Sequence, residues 1–178
     1  MQLENMLNYE LILKPISGTS YGSRHNIDGY LTFSTIITGI SRSYTQLFRN
    51  GIIEIVDSQF VDRRENHRFI YPFWEQHVID KLNDIVKFYQ EMSVDKPYVV
   101  LVSMVGVKGA SLKLSGFDSG LHTVEIERDQ LTFPDVIFDE NSQDWPTVMR
   151  PIFDAFWNAC GYNKDLSYDK NDKWKPFE

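Results

Sequence analysis

A β-hairpin is predicted by residues 44–56, which read YTQLFRNGIIEIV. Two apolar runs, 44–48 and 52–56, flank Arg49, Asn50 and Gly51. Asn-Gly between apolar runs is the strongest short hairpin signal, because both residues accept the positive φ of a type I′ turn. This stretch therefore predicts two adjacent antiparallel strands.

Further strands and loops are predicted on both sides of the hairpin. Residues 9–16 (YELILKPI) alternate apolar with polar side chains, and residues 29–37 (GYLTFSTII) are rich in β-branched and aromatic side chains, so both predict strands. Residues 17–28 are rich in Gly, Ser and Asn and predict a long loop. Residues 62–68 (DRRENHR) predict a charged loop.

Two amphipathic helices are predicted from apolar residues spaced three or four apart. The first has Trp74, Val78, Leu82, Ile85, Tyr89 and Met92 on one face. Pro72 precedes it and Pro97 prevents its continuation. The second is marked by Val148, Ile152, Phe153, Phe156 and Trp157. Its first turn is expected to contain Pro151, so that its regular part begins near Arg150, and Gly161 is a natural C-terminal stop.

The centre of the sheet is predicted at residues 98–107 (YVVLVSMVGV), because an almost wholly apolar run is typical of a strand covered on both faces. Residues 111–114 are expected to pair back onto it, and 122–126 and 131–138 to form short strands, the second interrupted at Pro134. This order predicts an α+β fold, with a mostly antiparallel sheet packed against two helices. We expect one domain over residues 1–178, with a core of about 9–161.

Composition and charge limit the possible classes of function. The net charge is −7, with 12 acidic and 12 basic residues in 1–117 but 13 acidic and 6 basic residues in 118–178. An acidic chain is a poor nonspecific binder of nucleic acid, because phosphate contacts require clustered Lys and Arg. The single cysteine, Cys160, cannot form an internal disulfide. No signal peptide or membrane span is indicated, so a cytoplasmic location without membrane association is expected.

A basic patch is the main candidate for contact with nucleic acid or a partner. Tyr44 and Phe48 lie between arginines, an arrangement that suits nucleic-acid stacking. The turn Gly106-Val-Lys-Gly109 can also approach a phosphate or a partner backbone, and the alternative is a plain tight turn. The alternative is an ordinary mixed-charge surface, because nearby acidic residues almost cancel the positive charge. The candidate residues are Arg42, Arg49, Arg63, Arg64, Arg68 and Lys108.

Catalytic, metal and cofactor sites are not indicated by any motif. No pair of the four histidines has a metal-ligand spacing, so no metal is predicted, and no cofactor-binding motif is present. Cys160 is expected to be a small buried residue rather than a nucleophile. Asp135 and Asp139 belong to an acidic stretch that can do acid–base work but is more typical of a solvated loop before a helix.

Aromatic residues in the polar C-terminal segment, Tyr168, Trp174 and Phe177, suggest that residues 162–178 do not extend freely into solvent. Exposed aromatic side chains would leave apolar surface in water. We therefore expect this tail to pack back onto the domain or to dock on a partner.

The chain resembles a known group of bacterial proteins. Residues 43–51 (SYTQLFRNG) and 53–57 (IEIVD) are similar to the C-terminal region of proteins that begin with a Schlafen-type, Alba-like DNA-binding domain and are often described as ATP-binding or helix-turn-helix proteins. The similarity continues through 101–109, 126–131, 134–136 and 149–157, then Gly161, Tyr168-Asp169 and Trp174. It covers about residues 29–174 and includes no stretch that resembles the DNA-binding domain, so we expect either a module of a longer protein or a short stand-alone relative.

The resemblance implies an accessory or regulatory module of a nucleic-acid-associated bacterial protein. Its expected partner is an N-terminal DNA-binding domain of the same or another chain, and no catalytic residue carries over. Our leading hypothesis is a non-catalytic module that acts through protein or ligand contacts. Structural or ligand roles are expected for Asp57, Asp135, Arg150, Trp157 and Trp174, and a structural role for Arg49. The alternatives are direct nucleic-acid binding through the arginines, and a hydrolase using acids near Asp135 and Asp139.

Overall fold

The structure is a computed structural model that describes residues 13–35, 41–64, 67–114, 124–142 and 144–177. In these residues it confirms the α+β class, with short, mostly antiparallel strands and two helices. The chain divides into two compact units, Met1–Phe60 with Asp80–Ser93, and Val61–Ile79 with Val94–Glu178. They are called unit 1 and unit 2 below. Within the described ranges, no helix has the length and apolar character that crossing a membrane requires.

Unit 1 is built on a four-stranded antiparallel sheet in which each strand pairs with the next along the chain. The strands are β1 (Tyr21–Asn26), β2 (Gly29–Ser34), β3 (Ser43–Phe48) and β4 (Ile53–Asp57). The predicted hairpin and the strand from Gly29 are therefore confirmed, although Ile36 and Ile37 lie outside the described residues. The order β1-β2-β3-β4 gives one continuous sheet whose faces are set by the two-residue alternation of side chains.

The turn between β3 and β4 differs from the predicted type I′ turn. Gly51 has a φ of +88°, but Asn50 is not in the positive-φ region. The amide of Gly51 donates to Phe48 O at 3.0 Å, and the amide of Phe48 donates to Ile52 O at 2.8 Å. Asn50 Oδ1 also accepts from the amide of Ile52 at 3.1 Å. A turn followed by one left-handed glycine closes the hairpin, so only Gly51 needs the unusual backbone angle.

The prediction of a long loop over residues 17–28 is wrong, because Tyr21–Asn26 forms β1 at the edge of the sheet. Its polar side chains fit an edge strand, where much of each residue stays in solvent. The turn into β2 is stabilised by Asn26 Oδ1, which accepts from the amides of Asp28 at 3.0 Å and Gly29 at 2.8 Å. The described residues of the predicted first strand, 13–16, are also not a strand.

The first helix, α1 (Trp74–Glu91), is confirmed, and the boundary between the units falls within it. In unit 1 it buries Leu82, Ile85 and Phe88. Lys81 Nζ donates to Lys14 O at 2.5 Å, and burial lowers the pKa of this amine to about 8. The helical part of unit 1 therefore combines an apolar stripe with a buried amine that donates to a backbone carbonyl.

The described residues of unit 2 form three small sheets instead of one sheet with a long central strand. The prediction of a charged loop at 62–68 is wrong, because residues 61–64 pair with residues 67–70 as antiparallel strands. A strand needs only alternate side chains to be buried, so charged residues can face solvent while Ile70 is fully buried. The sheets are β5 (Val61–Arg64), β6 (His67–Ile70) and β9 (Ala110–Leu112); β7 (Tyr98–Val100) with β11 (Val136–Phe138); and β8 (Ser103–Val105) with β10 (Gln130–Thr132).

The central strand predicted at 98–107 is split into β7 and β8 and is not covered on both faces. Val99, Leu101 and Val105 are 61%, 71% and 67% exposed. Apolar composition alone does not reveal which neighbours cover a strand. Residues 110–112 pair in parallel with β6 rather than back onto 98–107, whereas the predicted interruption near Pro134 is confirmed by the separate strands β10 and β11.

The second helix, α2 (Trp145–Ala159), begins five residues before the predicted start at Arg150. Pro146 occupies the first turn, and Asp144 caps it by accepting from the amide of Thr147 at 2.8 Å. Pro151 therefore lies inside the helix, on an exposed position. The predicted stop is confirmed, since Gly161 has a φ of +87° and a Cβ there would meet Val124 at 2.6 Å.

Replacing Asp144 with alanine is expected to lower the free energy of unfolding by about 1 kcal/mol, because the Thr147 amide loses its acceptor. Asp144→Asn keeps an acceptor oxygen and is expected to cost much less. Urea unfolding followed by tryptophan fluorescence suits this test, because Trp74, Trp145, Trp157 and Trp174 all lie in unit 2. Equal losses for the two variants would contradict the capping role.

Candidate functional site

An open cleft of about 490 Å³ lies on one face of the unit 1 sheet. Its size is within the usual range for small-molecule sites. One cross-strand row runs over all four strands, since Arg24 lies opposite Leu31, Leu31 opposite Gln46, and Gln46 opposite Glu54. Three strand spacings separate the ends of this row by about 14 Å. The cleft therefore has a cation at one end and a carboxylate at the other.

Aromatic side chains stand on both sides of this row. Phe33 and Tyr44 are opposite each other on β2 and β3, and Phe48 is four residues further along β3. All three are half-buried, so part of each ring remains accessible. The Arg24 guanidinium lies 5.8 Å from the centre of the Phe33 ring. The face thus presents aromatic surface, one cation and the carboxylates of Asp28 and Glu54.

Tyr44 and Glu54 are fixed to each other by a hydrogen bond. The Tyr44 hydroxyl donates to Glu54 Oε1 at 2.7 Å. This bond to the carboxylate, together with burial, raises the pKa of Tyr44. Tyr44 is consequently held as a neutral donor rather than a phenolate, and the position of Glu54 is defined.

Gln46 forms a rigid part of the cleft floor. It is only 5% exposed, and its amide group is used within the protein. Its Nε2 donates to Tyr30 O at 3.2 Å and to Leu47 O at 3.0 Å, while its Oε1 accepts from Asn26 Nδ2 at 2.7 Å. Gln46 therefore braces β3 and the end of β1 beneath the cleft.

The arginines predicted in unit 1 lie at opposite ends of β3. Arg42 is exposed before the strand, and Arg49 is exposed after it. Arg49 Nε donates to Ile27 O at 2.9 Å and its amide donates to Asp28 O at 2.9 Å, so it joins the two hairpin turns. Asp57 Oδ1 accepts from Ser17 Oγ at 2.5 Å and also from the amide of Gln59. Arg49 and Asp57 both make structural contacts.

The basic candidates of unit 2 lie on its three-stranded sheet or in the turn next to it. Arg63 is exposed on β5, Arg64 ends that strand, and Lys108 is exposed in the turn before β9. Arg68 has a structural contact, because its guanidinium donates to Lys108 O at 2.9 Å and also to Gly106 O. The Arg68 charge is thus used to hold the turn at residues 106–109.

The acidic residues considered for hydrolysis form a shallow loop. Asp135 is exposed between β10 and β11. Asp139 accepts from Ser142 Oγ at 3.0 Å and from the amide of Asn141 at 2.9 Å, and these hydrogen bonds lower its pKa. A general acid needs a raised pKa to hold a proton near neutral pH. Asp139 does not meet this requirement, because its pKa is lowered.

A buried acid pair, which the sequence did not indicate, lies inside unit 2. Glu75 on α1 is 1% exposed and Asp165 in the tail is 0% exposed. Burial, followed by the charge of Asp165, raises the pKa of Glu75 to about 8. Burial also raises the pKa of Asp165. No described residue donates a hydrogen bond to Asp165 Oδ2.

Hydrogen bonds connect this acid pair to α2 and the tail. Glu75 accepts from Trp157 Nε1 and Ser167 Oγ, both at 2.8 Å. The Trp174 indole also lies close enough to lower the pKa of Glu75, although no described residue accepts from its Nε1 in good geometry. Ser167 is 1% exposed, so the pair is sealed from solvent. A substrate cannot reach these carboxylates in this conformation.

The tail lies against α2 through aromatic and charged contacts. Trp157 packs edge-on against Tyr162, with ring centres 5.1 Å apart, and lies 5.7 Å from Phe177. Arg150 stacks 4.7 Å above the Tyr168 ring and binds Asp172 at 2.9 Å. These contacts bury Tyr168 and leave Tyr162, Trp174 and Phe177 half-buried within unit 2.

Cys160 is confirmed as a buried residue, at 2% exposure, and burial raises the pKa of its thiol to about 12. It is therefore held as an unreactive thiol at neutral pH. Within the described parts of the chain, no three His, Cys, Asp or Glu side chains group in a way that could hold a metal ion.

Sequence reasoning missed the cleft because its residues come from four strands. Arg24, Phe33 and Gln46 are far apart in sequence and become neighbours only through strand register. The alternation Leu31–Phe33 and Tyr44–Gln46–Phe48 was an available signal that these side chains share one face. No comparable signal identified Asp165, whose burial depends on the packing of the tail.

Comparisons of the chain with protein-family models, with curated proteins and with solved structures each find no match.

Proposed function

We propose that this chain is a non-catalytic binding module that holds a small organic ligand in the cleft of unit 1. The observation that carries the proposal is the combination of three half-buried aromatic rings, Phe33, Tyr44 and Phe48, with polar groups at the cleft ends. Ligand sites are typically concave, mainly apolar, and equipped with a few placed polar groups. The resemblance adds the expectation that ligand binding regulates an associated bacterial DNA-binding domain.

Binding is favoured over catalysis by the roles of the polar side chains. Tyr44 is held neutral by Glu54, and Gln46 is committed to contacts within the protein. A nucleophile or general base needs a free lone pair directed at the substrate. Tyr44 and Gln46 shape the cleft rather than supply such a group.

Direct nucleic-acid binding has less support from this face. Asp28 and Glu54 lie at the cleft and oppose phosphate, while Arg49 contacts the backbone of the β1–β2 turn. Arg42 and Arg49 are separated by the length of β3, about 20 Å for six residues. Phosphate binding depends on several convergent cations.

The proposal is tested by titrating the protein with benzyl alcohol, benzyltrimethylammonium and benzoate, which share one ring but differ in charge. At least one is expected to shift the amide resonances of Leu31, Phe33, Gln46 and Phe48, with a millimolar or lower Kd. Each compound is expected to be recovered unchanged after incubation.

The matched variants compare the two faces of the same sheet. Phe33→Ala with Phe48→Ala is expected to abolish these shifts, whereas Tyr21→Ala removes an exposed aromatic side chain from the opposite face of β1 and should leave them intact. If no compound shifts the cleft amides, or the shifts survive the double substitution, the site is wrong. Conversion of a compound would contradict the non-catalytic role.

A further inference from the structure

We infer that the cleft of unit 1 recognises an organic ammonium ion, an inference that rests on the proposed function of this cleft. Among the described residues that line the cleft, the charged ones are Arg24, Asp28 and Glu54, which leaves an excess of one negative charge. Their arrangement with Phe33, Tyr44 and Phe48 provides both an aromatic surface and carboxylates. These are the two groups that attract a weakly hydrated cation.

Each aromatic side of the cleft has its own carboxylate. Tyr44 donates to Glu54 Oε1 at 2.7 Å, and the Glu54 side chain is exposed and lines the cleft. Asp28 lies in the β1–β2 turn beside the end of β3, where its carbonyl accepts from the amide after Phe48 at 2.9 Å. A cation placed over the row between Tyr44 and Phe48 therefore lies between two negative groups.

The protein already places a cation on one of these rings. The Arg24 guanidinium is 5.8 Å from the centre of the Phe33 ring, near the outer limit for a cation–π contact. Arg24 is exposed and comes from the edge strand, so it can move away without disturbing the sheet core. It behaves as an internal competitor that occupies part of the site when no ligand is bound.

An organic ammonium ion fits this surface better than a metal ion or an anion. Hard metal ions require several oxygen ligands at fixed distances, whereas aromatic rings supply none. An anion would face Asp28 and Glu54. The methyl groups of a substituted ammonium ion can pack on the rings, and about 490 Å³ leaves room for the chain attached to it.

The decisive experiment compares choline with 3,3-dimethylbutan-1-ol, which has the same shape but carbon in place of the charged nitrogen. Dissociation constants are measured from amide shifts of Gln46 and Phe48 at low ionic strength. Choline is expected to bind roughly five- to thirtyfold more tightly. Equal affinities, or binding of neither compound, would overturn the inference, whereas the proposed function is contradicted only if the benzyl compounds also fail to bind.

Substitutions at two exposed residues, Arg24 and Glu54, are expected to change the affinity for choline in opposite directions. Arg24→Ala removes the competing cation and is expected to increase the affinity for choline several-fold. Glu54→Gln keeps the shape and an acceptor for Tyr44 but removes charge, so it should weaken choline binding without changing the neutral compound. Weaker choline binding in Arg24→Ala, or an unchanged Kd in Glu54→Gln, would contradict the assigned chemistry.

A comparison with peptides shows whether the ammonium group belongs to a small molecule or to a protein side chain. A short Gly-Ser peptide with one trimethyllysine is compared with choline and with the same peptide carrying norleucine. Tighter binding of the trimethyllysine peptide than of choline assigns the cleft to a protein side chain. Equal or weaker binding assigns it to a small molecule. Equal binding of the trimethyllysine and norleucine peptides would overturn ammonium recognition.

Discussion

Replacing Glu75 with glutamine is expected to remove most of the loss of stability that unit 2 shows as the pH rises from 5 to 8. Glu75 is sealed inside the unit, where burial and the charge of Asp165 raise its pKa from 4.5 to about 8. The folded state therefore keeps a proton that the unfolded chain has already released. Over this pH interval each unit of pH can lower the free energy of unfolding by up to about 1.4 kcal/mol.

The direction of this pH dependence follows from the number of protons that the folded and the unfolded states bind. Below pH 4.5 Glu75 is protonated in both, so its contribution to stability is fully present. Between about 4.5 and 8 only the unfolded state loses the proton, and stability falls. The pKa of Asp165 is raised as well, which adds to the same trend. Glutamine carries no charge into the interior and places no negative charge beside Asp165. The free energy of unfolding of the variant should therefore fall less steeply as the pH rises.

The measurement is urea unfolding at pH 5, 6, 7 and 8, followed by tryptophan fluorescence. We expect the curves of the native protein and of Glu75→Gln to cross, with the variant more stable at pH 8 by about 2 kcal/mol or more. Glu127→Gln is the control, because Glu127 is an exposed residue of the same unit. Parallel curves for the native protein and Glu75→Gln would contradict a protonated Glu75.

Replacing Trp157 with alanine is expected to lower the free energy of unfolding by about 3–5 kcal/mol, the usual cost of truncating a large buried aromatic side chain. Trp157 is 0% exposed and contacts both Tyr162 and Phe177. Its indole also donates to Glu75 at 2.8 Å. The substitution therefore creates a cavity and also removes the indole that donates to Glu75.

The packing and hydrogen-bond contributions are separated by phenylalanine variants. Trp157→Phe keeps an aromatic ring but leaves Glu75 Oε1 without this donor, so we expect a loss of about 1–3 kcal/mol that increases above pH 8 as Glu75 ionises. Trp74→Phe is the matched control, because Trp74 is also a buried tryptophan of unit 2 and no described residue accepts from its indole. Circular dichroism follows unfolding in all variants. Equal losses for both phenylalanine variants would show that the hydrogen bond to Glu75 contributes nothing.

Contacts with residues of the two helices hold the C-terminal segment in unit 2. Ser167 donates to Glu75, the amide of Asp165 donates to Asp154 on α2 at 2.7 Å, and Arg150 stacks on Tyr168. Each contact pairs a tail residue with a residue of one of the helices. Deprotonation of Glu75 would place a second negative charge beside Asp165, which disfavours the buried arrangement.

The candidate residues Arg150, Trp157 and Arg68 show which structural properties can be predicted from the sequence alone. Arg150 and Trp157 could be recognised as part of an amphipathic helix, and each makes several contacts with the tail. The partners of both residues are distant in sequence, so these contacts could not be derived from periodicity. Arg68 shows the same limit, because its use by two carbonyls of a remote turn makes it a structural residue.

The sequence by itself determined the local elements with strong short-range signals. Apolar spacing defined α1, Asn50-Gly51 defined the β3–β4 hairpin, and Gly161 defined the end of α2. These features depend on interactions within a few residues, such as hydrogen bonds across a turn or side chains one helical turn apart. They also suffice to indicate an α+β fold.

Only the tertiary structure decided which strands have partners and which polar groups become buried. Residues 98–107 looked like a central strand but form two short strands with exposed valines, because coverage depends on elements elsewhere in the chain. The cleft is likewise a product of register across four strands. Glu75 and Asp165 are 90 residues apart, and their raised pKa values arise only when α1, α2 and the tail exclude water around them.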